Sequence, residues 1–106
     1  MKKKATHLDH VALNVRDINK SASWYKEHLG AEVIYVDDTW AMLQVGESKL
    51  ALTVESQHPP HLGFVVSELS DIPSSDLAYH RDGSAYLYVT DPDGNTIEFL
   101  YYPHAS

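Results

Sequence analysis

Three side chains in this sequence have the types and the setting for metal chemistry. His10 and His61 occur in matching runs, DHVALNV and PHLGFVV, spaced 51 residues apart, and Glu98 lies inside the otherwise apolar run TIEFLY. Two imidazoles and one carboxylate are the donor set of a 2-His-1-carboxylate site, which suits Fe(II), Mn(II), Zn(II), Ni(II) or Co(II) and leaves open positions for a substrate and a second reactant. A carboxylate in the middle of an apolar strand costs several kcal/mol if its face is buried without a partner, so Glu98 calls for a cation, a donor or water. Cysteine is absent, which restricts any metal to imidazole, carboxylate or carbonyl ligands.

The elements that must hold these groups are set by the apolar pattern. Leu8 to Val15 alternates, with Val11, Leu13 and Val15 on one face and His10, Ala12 and Asn14 on the other. Asp17 or Asn19 can cap a helix whose stripe is Ile18, Ala22, Tyr25 and Leu29, and Gly30 is a natural stop. Strands are expected at Glu32 to Asp37, Trp40 to Val45 and Lys49 to Glu55, giving βαβββ. After His58-Pro59-Pro60 the pattern restarts: DHVALNVRDI aligns with PHLGFVVSEL, and each half later reads strand, glycine-containing turn, strand. The second copy differs between Ser70 and Ser84, where only a short helical turn at about Asp76 to Tyr79 fits. Asp91-Pro92-Asp93-Gly94 is a tight-turn sequence, after which Ile97, Phe99 and Tyr101 share one strand face and Thr96, Glu98 and Leu100 the other. If two such units pair about a pseudo-twofold axis, His10 and His61 become equivalent and Glu98 approaches the latter.

Composition narrows the function classes. At 106 residues and 43% hydrophobic content the chain is expected to be one domain with a modest core, which association into a dimer would help stabilise. A formal charge of −7, with no basic run beyond Lys2 to Lys4, argues against nucleic acid as a partner. The residues after Lys4 supply no apolar signal segment and no later run is long enough for a membrane span, so a cytoplasmic protein is expected.

With these residues in place, a family resemblance spans nearly the whole chain. The H-x-A-x-N-V-x-D start, the WYKEHLG helix end, HLGFVV and DPDGNTIEF resemble the vicinal oxygen chelate superfamily, which holds glyoxalase I, extradiol dioxygenases and the fosfomycin- and bleomycin-resistance proteins. The resemblance implies an α+β fold of two βαβββ modules, about 6–56 and 60–103, forming a cupped mixed sheet with the second helix shortened. It also implies His10, His61 and Glu98 as metal ligands, a small-molecule substrate and a cavity built across a homodimer. Departures restrict the activity. Glyoxalase I adds a glutamate on the last strand of the first module, where Ala51 or Leu52 stands here, and neither can bind metal or move a proton. The fosfomycin thiol transferases share three ligands but add a threonine at the position of Ala12 and basic residues, for which the clipped segment offers mainly Arg81. Extradiol dioxygenases add a histidine and a tyrosine, for which Tyr86, Tyr88 and His80 are the catalytic candidates by analogy.

Plainer readings apply to the other residues. His7, His58 and His104 read as surface or terminal, His28 as the exposed face of the helix, and Trp24 and Tyr25 as core or dimer packing. Trp40 can line a cavity, and Glu55 is a reserve ligand on the Lys49, Ala51 and Thr53 face. Two functions from different classes fit these residues: a metal-dependent enzyme that chelates and activates a small oxygenated substrate, and a metal-free dimeric groove that sequesters a planar compound in the manner of the bleomycin-resistance proteins.

Overall fold

The computed structural model describes residues 5–72, 77–80 and 83–103, and folds them as an α+β protein with eight strands of a mixed sheet and one α-helix. They divide into two compact units. One runs from His10 to His61, and the other joins the residues before His10 to those after His61. The strand β1 (Ala5–Asn14) contributes to both.

In the unit from His10 to His61 the strand order is β2 (Glu32–Val36), β3 (Trp40–Val45), β4 (Ser48–Thr53), β1. β3 runs antiparallel to β2 and β4, whereas β1 and β4 are parallel because the helix α1 (Ile18–Leu29) carries the chain back before the meander begins. Asp17 caps α1 by accepting from the Lys20 N–H at 3.0 Å. Gly30 ends it at φ 66°, a left-handed conformation that costs a glycine nothing and lets its N–H reach the Lys26 carbonyl at 3.1 Å. Ile18 and Ala22 pack into a core with Ala31, Ala41, Leu43 and Leu52, and Leu13, Val15 and Tyr25 close its sides. Leu29, expected on that stripe, is instead 53% exposed, because Gly30 ends the helix there.

β2 is the outer strand of this order, and each of its residues is exposed. Its turn into β3 is built on Asp37, whose carboxylate accepts the Tyr35 hydroxyl, the Thr39 hydroxyl and the backbone N–H groups of Thr39 and Trp40. The Tyr35 hydroxyl, followed by those backbone donors, lowers the Asp37 carboxyl to about 2. The rings of Tyr35 and Trp40 stack over the turn with centroids 4.6 Å apart.

In the other unit the order is β5 (His61–Val66), β8 (Thr96–Tyr101), β7 (Ala85–Thr90), β6 (Ala78–Tyr79). Asp91 shapes the β7–β8 turn by accepting from the N–H groups of Asp93 and Asn95 and from the Asn95 amide, each at 2.9 Å. The core here is Val66, Ile72 and Ala85, with Leu77, Leu87, Phe99 and Tyr101 against it, so the Phe99 and Tyr101 face of β8 packs inward as the alternation requires.

The shortened helix of this half is a single 3₁₀ turn at Leu69–Asp71. The helical turn expected at about Asp76 to Tyr79 is not formed over Ala78 and Tyr79, which pair instead with Tyr86 and Ala85 as strand β6; Asp76 lies outside the described residues. One isolated helical turn fixes its dihedrals for little hydrogen bonding, whereas the open edge of β7 offers a ready ladder. Among the described residues, no helix is long and apolar enough to cross a membrane.

Candidate functional site

The chain passes between its two units at Asp9–His10 and again at His61–Leu62, and a histidine stands at each passage. Both imidazoles belong to the His10–His61 unit, both are 8% exposed, and their Nε2 atoms lie 3.1 Å apart with the rings nearly perpendicular, at 85°. On the far side of the His61 ring, Nδ1 lies 2.9 Å from the Pro59 carbonyl oxygen. That oxygen can only accept, so the proton sits on Nδ1 and the Nε2 lone pair of His61 points at His10. The sequence reason is local: Pro59-Pro60 stiffens the backbone two residues before His61, so the carbonyl that fixes the tautomer is itself fixed.

The parallel β1–β4 ladder sets which way His10 faces. His10 pairs with Lys49, Ala12 with Ala51 and Asn14 with Thr53, and the Thr53 hydroxyl donates to the Asn14 side-chain oxygen at 2.8 Å. Leu13, Val15, Leu50 and Leu52 take the opposite, apolar face with the helix. Ala12 and Ala51, both buried, stand across from each other two positions further along the face that carries His10, and Ala51 offers neither a ligand nor a base.

Two imidazoles held this way can do one of two things. Either His10 donates its Nε2–H to His61, or both lone pairs face a cation. Two nitrogens bound to one divalent ion at ~2.1 Å in adjacent positions stand roughly 3.0–3.4 Å apart, from the right angle to the tetrahedral angle. The 3.1 Å separation meets that requirement. The donor types fit as well, since imidazole and carboxylate suit divalent transition metals.

Glu98 belongs to the other unit and is 2% exposed. The β7–β8 register puts Tyr88 directly across from it, and the Tyr88 hydroxyl donates to its carboxylate. From beyond β6, His80 Nε2 lies 3.3 Å from Glu98 Oε2, while its ring stacks on Tyr86 at 3.9 Å and 13°. Tyr86 meets Tyr88 edge to face at 5.6 Å. The three catalytic candidates thus gather around one carboxylate. Burial, followed by the Glu98 negative charge, the neighbouring Tyr86 and the hydrogen bond to Glu98, pushes the Tyr88 phenol far above the usual tyrosine range, and its hydroxyl is a donor to Glu98.

The other candidates lie apart. Glu55 is exposed in the turn after β4, on the rim of an open groove of about 710 Å³ with Asn14, Arg16 and Ser56. His58 is exposed, with its ring centroid 6.4 Å from that of His61. His28 is tied to the Trp24 carbonyl, and His7 to Thr6. Arg81, His104 and the lysines at 2–4 lie outside the described residues. Alternation alone places Tyr86 and Tyr88 on one strand face; the link from Tyr86 through His80 to Glu98 has no signal in the letters, since it depends on where β6 ends.

Comparison with known proteins identifies the family. A family model described as the Glyoxalase/Bleomycin resistance protein/Dioxygenase superfamily matches residues 7–73, and the chain belongs to that superfamily. A metallothiol transferase FosB of Staphylococcus saprophyticus is 30% identical over 112 residues, covering 86% of this chain and 74% of its own. A probable trivalent organoarsenical cleaving enzyme of Bacillus subtilis is 25% identical over 113 residues, with coverage of 87% and 77%. In fold, methylmalonyl-CoA epimerase of Mycobacterium tuberculosis superposes with a TM-score of 0.79 at 19% identity, over 98% of this chain and 93% of that one.

Proposed function

We propose that this chain is a metal-dependent enzyme in which His10, His61 and Glu98 hold one divalent ion. The observation that carries the reading is the His10–His61 pair, buried, 3.1 Å apart and oriented from behind by the Pro59 carbonyl. Glu98 is the third ligand: a His-His-Glu donor set is present and buried, and each residue offers one ligand atom. Bound there, the ion would supply Lewis acidity to a small substrate presenting two adjacent oxygens.

The chain's own residues limit the reaction class. Ala51 removes the proton-shuttling glutamate, which disfavours a glyoxalase I reaction. Tyr88 is engaged as a hydrogen-bond donor to Glu98. The relatives named metallothiol transferase support transfer of a thiol to the held substrate as the reaction class: the sulfur forms a bond to carbon as a carbon–oxygen bond of the substrate breaks, and the released oxygen keeps the electron pair and takes up the thiol proton. In that class the nucleophile arrives with the second reactant, so no general base from this chain is required to generate it when the thiol ionises readily.

The active form we propose is a homodimer. Val33, Ile34, Tyr35 and Val36 on the outer strand, with Trp24 and Leu29 on the helix, leave a large apolar area exposed in one unit, which a second copy would cover. Titration with Mn(II), Fe(II), Zn(II), Ni(II) and Co(II) in turn tests the metal site: wild type takes up about one ion per chain, and His10→Ala and Glu98→Gln do not. Equal behaviour of all three proteins would leave only a binding module.

A further inference from the structure

We propose that Tyr88 and His80 are positioning residues that fix Glu98 for metal binding, with Tyr86 holding His80 in place; this rests on the metal reading above. Four side chains of one unit carry the inference. Glu98 is buried at 2% exposure and bonded from two sides, by the Tyr88 hydroxyl from the facing strand and by His80 Nε2 at 3.3 Å from the end of β6. An ionised carboxylate has about four acceptor positions, so two donors restrict its rotation and still leave lone pairs for an ion. The His80 ring lies flat on Tyr86, at 3.9 Å and 13°, in the position from which it reaches Glu98. His80 is itself 41% exposed and does little for the core, so its stack and its bond to Glu98 are what its position serves.

The arrangement has a general logic. A ligand carboxylate that pivots freely must be ordered when the metal arrives, and outer partners that order it in advance are typically worth about 10–100-fold in metal affinity. Here the ordering comes from a phenol and an imidazole on one hairpin and the strand beside it, so the unit presents Glu98 in one orientation before any ion binds.

Co(II) alone is the probe, with affinity read by competition against a chromophoric chelator and ligand geometry read from the visible absorption of the bound ion. Tyr88→Phe and His80→Gln are expected to bind Co(II) about 10–100-fold more weakly, with altered absorption, while their metal-free melting curves stay close to wild type. Tyr86→Phe keeps the ring on which His80 stacks and is expected to match wild type in both readouts. Wild-type affinity and spectrum in both Tyr88→Phe and His80→Gln would overturn the inference and leave the metal site standing. An equal loss in Tyr86→Phe would also overturn it, as a general disturbance of the aromatic cluster. Failure of wild type to take up Co(II) or any of Mn(II), Fe(II), Zn(II) and Ni(II) would overturn the metal reading and this inference with it.

Discussion

The Pro59 carbonyl stands 2.9 Å behind His61, on the side of the ring away from His10. This bond decides which nitrogen of His61 carries the proton, and hence which one is available to an ion. Loosening the backbone there should loosen the ring. Pro60→Gly, which frees φ one residue before His61, is expected to weaken divalent metal binding by about tenfold without removing the site. Isothermal titration of wild type and variant with Co(II) measures this, and unchanged affinity would show that the carbonyl does not orient the ring.

The Asp37 turn makes a pH-dependent contribution to stability. Its carboxyl is lowered from 3.8 to about 2, chiefly by the Tyr35 hydroxyl and then by the backbone donors of Thr39 and Trp40. A group depressed in the folded state contributes stability above its unfolded pKa and loses it as pH falls through the folded value. The melting temperature of wild type should therefore fall between pH ~4 and ~2 more steeply than that of Asp37→Asn, as thermal unfolding across that range would show. Parallel curves would exclude the turn as a contributor.

Leu43 is fully buried between the helix and the strands of the His10–His61 unit. Leu43→Ala is expected to cost about 2–5 kcal/mol by urea unfolding, since the cavity cannot close between a helix and a hydrogen-bonded ladder. A cost below about 1 kcal/mol would mean that this core repacks freely.

The exposed outer strand gives a separate test of assembly. Ile34, 51% exposed, lies among Val33, Tyr35 and Val36 on the outermost strand of the order, an apolar edge of a kind that proteins ordinarily cover or charge. Ile34→Lys should convert the proposed dimer to monomer in sedimentation velocity runs, with the secondary structure unchanged by circular dichroism. A wild type that sediments as a monomer would contradict the dimer.

Much of this fold is legible in the letters because short-range rules decide it. Alternation sets the two faces of β1 and β8, a capping aspartate and a stopping glycine bound the helix, and the Asp-Pro-Asp-Gly turn fixes the β7–β8 pairing. Counting outward from that turn puts Tyr88 across from Glu98. The features that escape depend on long-range partners. The start of β1 at Ala5, three residues before the expected Leu8, comes from contacts such as the Thr6 hydroxyl with the Val65 carbonyl, 59 residues away. Strand β6 arises from the open edge of β7, and His80 reaches Glu98 only because β6 forms. The exposure of Leu29 shows the limit of stripe counting at a helix end, where the last turn has outrun the core.

The most direct test of the metal centre is elemental analysis of untagged protein purified without chelator and then dialysed with each candidate metal. Wild type is expected to hold about one divalent ion per chain, and His10→Ala, His61→Ala and Glu98→Gln are expected to lose that ion alike. No stoichiometric metal in wild type, under any of the five ions, would contradict a His-His-Glu centre and reduce the buried histidine pair to a hydrogen bond.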